Sequence, residues 1–272
     1  MFAVENYPSN GFACPISVLS TEEAEGFAEH FMELKQTQPD IVDQALGTNC
    51  HLLFPSLCEI AQRPAVLDAV EHVIGPNILL WSAGFFIKYP QSKSFVSWHQ
   101  DTRYWGLSSD KVLSVWLALS PASVESGCMR VMPGTHRGEV LPHDDRYHED
   151  NMLTRGQEIT RGVKEIEAVL MPLEPGQISI HNYRIAHASG PNNSGDRRIG
   201  VSMHFMPPDT EQVVGNWDSA ALVRGEDRQG NFEPTPIPEK DFDPLAVEFQ
   251  QKAARAMSEV LYAGAERNTA KL

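Results

Sequence analysis

A chain of 272 residues with 42% hydrophobic side chains can bury one large core or two small ones. Its net charge of −14 argues against nucleic acid or an anionic membrane as partner, since both would repel it. No run of about eighteen apolar residues occurs, which excludes an ordinary spanning helix.

The first predicted helix starts at the capping box Ser20-Thr21-Glu22-Glu23, with Ala24, Phe27, Ala28, Phe31 and Leu34 on one face. A second begins near Pro64, runs through Leu67 and Val70, and stops at Gly75-Pro76. Between them, Gln44 to Leu57 reads as a loop near a pocket mouth. From Ile78 the period changes to that of strands. These are expected at Ile78 to Tyr89, Val112 to Leu119, Cys128 to Met132, Ile166 to Met171, Gln177 to His181 and Arg198 to Met206, separated by Gly/Pro turns. The charged stretch from His136 to Arg161 breaks this pattern and reads as a lid over the substrate. A second metal site at His143, Asp145 and His148 is weighed there, and a solvated loop is preferred because no periodic spacing focuses those side chains. After a connecting loop from Asp209, a C-terminal helix is expected around Pro244 to Tyr262, packed on the barrel or on a second subunit.

Short strands punctuated by turns favour a mainly β fold with supporting helices, a jelly-roll or cupin-like barrel. With no internal repeat and no Ser/Gly-rich linker, residues 1–272 read as a single domain. Cys14, Cys50, Cys58 and Cys128 form no CxxC pair and read as free thiols in a reducing compartment. The residues from Met1 to Asn6 lack the basic and apolar regions of a signal peptide, so a cytoplasmic location is expected.

The most chemical stretch is Trp98-His99-Gln100-Asp101. On a strand, residues i and i+2 share a face, so a histidine nitrogen and a carboxylate oxygen could meet one metal. Taken alone this pair is a weak signal. A third ligand is sought in His187, with His181 and His204 as competitors in strand-like runs of their own. His187 is favoured by its company, because Arg198 follows eleven residues later. Two histidines and one carboxylate leave three octahedral positions open, as in non-haem Fe(II) oxygenases. A guanidinium nearby would grip the distal carboxylate of a chelating keto acid.

The segments WHQDTRYWGL, SVWLALSPASVESGCMRVMPGTHR and HASGPNNSGDRRIG, in that order between about Gly11 and Pro208, resemble the phytanoyl-CoA dioxygenase family of Fe(II)/2-oxoglutarate oxygenases. The resemblance implies a double-stranded β-helix with iron at its open end and 2-oxoglutarate and O2 as cosubstrates. It assigns His99, Asp101 and His187 to the iron and Arg198 to the carboxylate clamp. Ser189 becomes a second cosubstrate contact, and Trp105 and Trp116 line the cosubstrate pocket. No catalytic residue beyond the metal centre is implied. A halogenase of this family would carry a small residue where Asp101 stands, so hydroxylation, or a desaturation or cyclisation begun in the same way, is preferred. Rivals from other classes are a cupin-like Zn lyase or hydrolase and a ligand-binding barrel without turnover.

The substrate is expected to be a small molecule. Lys88, Arg103 and Arg155 could hold an anionic head group, and Trp81 or Tyr104 could face an ammonium. The leading expectation is 2-aminoethylphosphonate, hydroxylated next to phosphorus. The alternative is a secondary metabolite.

Overall fold

Alternation along single strands organises the molecule. In the computed structural model, which describes residues 3–265, Arg198–Met206 is a strand whose Ile199, Val201, Met203 and Phe205 enter the main hydrophobic core. The intervening Arg198, Ser202 and His204 face a cavity on the other side. The same period places Val115 and Leu117 of Leu113–Ala118 in the core and Trp116 at the cavity.

The larger sheet has seven strands, in the spatial order β1 (Phe12–Ser17), β9 (Gln177–Asn182), β4 (Leu113–Ala118), β11 (Arg198–Met206), β2 (Ile78–Lys88), β12 (Ser219–Arg224) and β13 (Glu233–Pro234). The smaller has four, β3 (Val96–His99), β10 (Ala186–Ser189), β5 (Met129–Met132) and β8 (Val169–Met171). All neighbours in these sheets pair antiparallel except β12 with β13. Phe12, Trp116 and Ala118 of the larger sheet pack against Val131 and Met171 of the smaller. The fold is thus the expected jelly roll, with one correction. The two sheets are separate hydrogen-bonded units, so the barrel is not closed.

Helices pack on the outer face of the larger sheet, and the C-terminal one also lines the cavity through Met257, Val260 and Leu261. They are the short α1 (Tyr7–Asn10), α2 (Thr21–Thr37), α3 (Pro39–Ala45), α4 (Pro55–Ala61), α5 (Pro64–Ile74) and the C-terminal α6 (Pro244–Leu261). The expected capping box is present, with Ser20 Oγ accepting from the Glu23 amide and the Glu23 carboxylate accepting from the Ser20 amide. α5 ends as expected, at Gly75 with φ +95°.

Several boundaries differ from the sequence reading. Gln44 to Leu57 holds the end of α3, a 3-10 turn at Cys50–Leu52 and the start of α4. Its polar residues conceal helical turns too short to show a period. Only Val169–Met171 of the Ile166 to Met171 stretch is strand, because Glu165–Glu167 forms a 3-10 turn. The stretch from His136 to Arg161 is not an open loop throughout. It carries a hairpin of β6 (His143–Asp145) and β7 (Gln157–Ile159), whose cross-strand pairs join residues too polar to read as strands.

The core's densest contact is aromatic. Phe31 of α2 stacks on Phe85 of β2 with ring centroids 3.8 Å apart, and Phe54 meets both edge-on at 5.9 and 6.1 Å. Phe31→Ala should therefore lower stability by about 3–5 kcal/mol, the range for emptying a buried aromatic site. Urea unfolding checks this, and a change under about 1 kcal/mol would mean that the helix layer repacks freely.

Candidate metal centre and its cavity

β3 and β10 lie side by side with His187 directly opposite His99, and their ring centroids are 4.1 Å apart. Asp101 is not on the strand. β3 ends at His99, and Asp101 opens a 3-10 turn, Asp101–Arg103, closed by the Tyr104 amide donating to the Asp101 carbonyl at 2.9 Å. The expectation of one shared strand face is corrected accordingly. The turn, rather than the pleat, returns the carboxylate to the histidines. His99 Nε2 lies 3.2 Å from one Asp101 oxygen and His187 Nε2 lies 3.9 Å from the other.

All three side chains are buried, and their donor atoms lie within 4.8 Å of one another. The backbone sets the tautomers. His99 Nδ1 is 2.9 Å from the Ser97 carbonyl and His187 Nδ1 is 3.1 Å from the Ile185 carbonyl. A carbonyl only accepts, so each Nδ1 carries a proton, and each Nε2 is the atom that would offer a lone pair to a metal in the centre. Burial, reinforced by His99, lowers the His187 pKa to about 4 and keeps the ring neutral. Burial would raise the Asp101 carboxyl, but His187 and His99 outweigh it and hold it below the ordinary carboxylate range. Two imidazole nitrogens and one carboxylate, converging, suit a divalent metal that keeps open positions.

The competing histidines line the same cavity without joining the group. His181 projects from β9 with its ring 4.8 Å from that of His187. His204 projects from β11, its Nδ1 2.9 Å from Ser114 Oγ and its ring 4.5 Å from that of Trp105. His143, Asp145 and His148 do not converge either. His143 accepts from the Gln100 amide, Asp145 pairs with Arg155, and His148 packs on Phe95.

A cationic corner adjoins the centre. Arg198 is 2% exposed, with its guanidinium 5.3 Å from the Trp116 ring centroid and Nη1 donating to the Gly127 carbonyl. Its Nε is buried without a partner among the described residues. A buried guanidinium left short of acceptors has the chemistry of an anion site. Ser189 lines the cavity, and the fully buried Lys88 donates to Ser189 Oγ at 2.7 Å and to the Gly190 carbonyl. Lys88 was expected to meet substrate, and its ammonium is instead committed behind Ser189. Burial and the nearby Arg198 lower its pKa to about 6. Because Lys88 donates to the serine oxygen, the Ser189 hydroxyl proton is left to donate elsewhere. Arg197, next to Arg198, is exposed.

The remaining expected residues divide. Trp116 joins Arg198, whereas Trp105 belongs to another wall with Trp81, Tyr183 and His204. Tyr104 lines the cavity, with its hydroxyl unpartnered among the described residues. Arg103 is exposed and outside the lining. Arg155 is no free anion contact. It pairs with Asp145 at 2.8 Å, donates to the Leu261 and Ala263 carbonyls, and sits 5.2 Å from the Tyr104 ring centroid. The cavity measures about 520 Å³, and much of its wall was not anticipated. Phe86, Met152 with Leu153, and Leu261 come from three separate segments, which no local sequence signal connects.

Gly200 fixes the corner's shape, since a Cβ there would overlap the Trp116 indole. Gly200→Ala should displace Trp116 toward Arg198, lower stability by about 1–3 kcal/mol and weaken 2-oxoglutarate binding. Thermal melts and calorimetric titration check both effects, and unchanged binding would detach Trp116 from the anion corner.

The model of the family described as Phytanoyl-CoA dioxygenase (PhyH) matches residues 7–200. Among solved structures, the non-heme monooxygenase ThoJ in its apo form is 32% identical, covers 96% of this chain and 97% of its own, and superposes with a TM-score of 0.85. Its Ni complex is 30% identical, with 96% and 98% covered and a TM-score of 0.80. A probable alpha-ketoglutarate-dependent hypophosphite dioxygenase of Stutzerimonas stutzeri is 27% identical over 61% of this chain, and human peroxisomal phytanoyl-CoA dioxygenase is 30% identical over 55%. The matches span 58% and 46% of those two relatives. With the family model matching most of its length, and with His99, Asp101 and His187 grouped where they could hold a metal ion, the chain belongs to the phytanoyl-CoA dioxygenase family of Fe(II)/2-oxoglutarate-dependent oxygenases.

Proposed function

We propose that the chain works as one domain, a hydroxylase that uses Fe(II), 2-oxoglutarate and O2 on a small organic molecule. The observation that carries this is one cavity holding the buried His99, Asp101 and His187 beside an arginine short of acceptors. The relative solved as a Ni complex supports a divalent metal at the centre. His99 Nε2, His187 Nε2 and an Asp101 oxygen would hold the iron. Arg198 would bind the distal carboxylate of 2-oxoglutarate, with the Ser189 hydroxyl donating beside it and Lys88 holding that hydroxyl in place. When bound, iron and keto acid together supply activation of O2 coupled to decarboxylation. The protein's share is to position the substrate and exclude water, with Trp116 walling the anion corner and the apolar lining facing the substrate. With Asp101 as a ligand, the iron would have no protein-vacated position for a halide, which supports hydroxylation over halogenation. The buried free thiols Cys14, Cys50, Cys58 and Cys128 fit a reducing, cytoplasmic setting. No helix among the described residues is long and apolar enough to cross a membrane.

The finer reading, hydroxylation of 2-aminoethylphosphonate next to phosphorus, draws support from the relative named a hypophosphite dioxygenase. It asks for a cation free to meet the phosphonate. Lys88 is turned to Ser189, Arg103 is exposed outside the lining, and Arg155 is paired with Asp145. The walls are instead Trp81, Phe85, Phe86, Trp105, Met152 and Leu153. That lining favours the second reading, hydroxylation or oxidative cyclisation of a less polar metabolite.

Anaerobic Fe(II) loading tests the centre. His99→Ala, Asp101→Ala and His187→Ala should each lose most bound iron, while His181→Ala and His204→Ala retain it. Iron retained by His187→Ala and lost by His181→Ala would reassign the third ligand.

The anion corner is tested by 2-oxoglutarate titration. Arg198→Ala should weaken binding by roughly ten- to a hundredfold, the loss of about 1.5–3 kcal/mol for a charge-assisted contact, and the exposed Arg197→Ala should change it little. Equal losses in both variants would leave Arg198 without its role. A Zn lyase or a non-catalytic binder would consume no 2-oxoglutarate under any substrate.

A further inference from the structure

We infer that the protein takes up a proton when 2-oxoglutarate enters the anion corner, and that Lys88 is the group that receives it. The inference rests on the oxygenase reading above and adds to it. Lys88 is a neutral positioning residue before the keto acid binds and a second cation afterwards.

The corner holds more basic groups than it can answer. Lys88 ends β2 directly opposite Arg198 of β11, and directly paired residues of an antiparallel sheet project to the same side. Both side chains are buried, and neither has an ion-pair partner among the described residues. The acids nearest to this corner along the chain, Glu125 and Asp196, are exposed. Cys128, just before β5, brings no counter-charge, because burial raises its pKa and keeps it a thiol. Arg130 of β5 adds a further positive charge, itself paired with Glu165. An ammonium buried without counter-charge is costly enough that the group gives up its proton instead.

The count of donors agrees. The described residues give Lys88 Nζ two acceptors, Ser189 Oγ at 2.7 Å and the Gly190 carbonyl. A neutral amine has two N–H bonds and satisfies both, whereas an ammonium would hold a third without a partner. The lowering of its pKa to about 6 fits an amine that is neutral at pH 7.

A carboxylate arriving beside Arg198 reverses this balance. It brings the missing negative charge to within one serine of Lys88, and an opposite charge favours the protonated amine. Arg198 cannot receive the proton, since its own pKa falls only to about 10 and it is already charged. The proton comes from the buffer. Because the charged form binds the keto acid better, affinity is highest below about pH 6, where Lys88 is protonated beforehand. It falls as the pH rises toward the higher pKa of the bound state.

Calorimetric titration of 2-oxoglutarate into the full chain loaded with Mn(II) tests this at pH 7, in PIPES and in ACES, two buffers of unlike ionisation enthalpy. The two apparent enthalpies should differ by the buffer term for roughly half a proton to one proton taken up per molecule bound. Lys88→Met should bring that uptake near zero and flatten the pH dependence of affinity. Lys88→Arg, charged throughout, should also take up none. Normal wild-type binding without uptake, or undiminished uptake in either folded variant, would overturn the inference. So would a wild-type affinity that does not fall between pH 6.5 and about 8, a measurement that needs no variant. Failure of the oxygenase reading registers differently, as the absence of any metal-dependent heat of 2-oxoglutarate binding.

Discussion

Everything chemical in this molecule depends on the register between two short strands. His187 faces His99 across the β3–β10 pair, and a slip of one residue would turn one imidazole to the opposite face. The register is secured by more than these two strands. β10 also pairs with β5 over four residues, from Ala186 opposite Met132 to Ser189 opposite Met129. One strand thus carries a metal-ligand candidate and, two residues later, the hydroxyl of the anion corner. Their separation is fixed by the pleat and needs no loop to hold it.

The cavity's electrostatics follow from what the core can tolerate. Burial disfavours charge, and it lowers the pKa of His187, His204 and Lys88 together. The imidazoles are thereby kept as lone-pair donors. Arg198 resists the same pressure better because its pKa falls only to about 10. It is the cation that survives burial at neutral pH, which is why a guanidinium suits this corner better than an ammonium. Lys88, more easily neutralised, serves through a serine rather than directly.

The sequence disclosed what period and motif can express. The capping box at Ser20, the stop at Gly75 and the long strands β2, β4 and β11 lie in segments long enough to show alternation or caps. The short β3 and β10 show no period of their own, and His99 and His187 were found by chemistry and resemblance. His181 and His204 competed for good reason, since alternation puts them on the cavity face as well. Cross-strand pairing separates them from the ligand group, and pairing is a relation between distant segments. The same holds for the surplus cations. Lys88, Arg103 and Arg155 look alike as residues, yet one is committed behind a serine, one faces solvent and one braces two elements. The apolar wall was the least legible part, because Met152, Leu153 and Leu261 meet only in the folded chain.

Arg155 has an energetic meaning besides its structural one. Through Asp145 and the Leu261 and Ala263 carbonyls it joins the β6–β7 hairpin to the end of α6. A side chain shared by two elements couples their local stability, so that losing it weakens both. Removing that one guanidinium would therefore loosen both elements at once, although they lie more than a hundred residues apart in the chain.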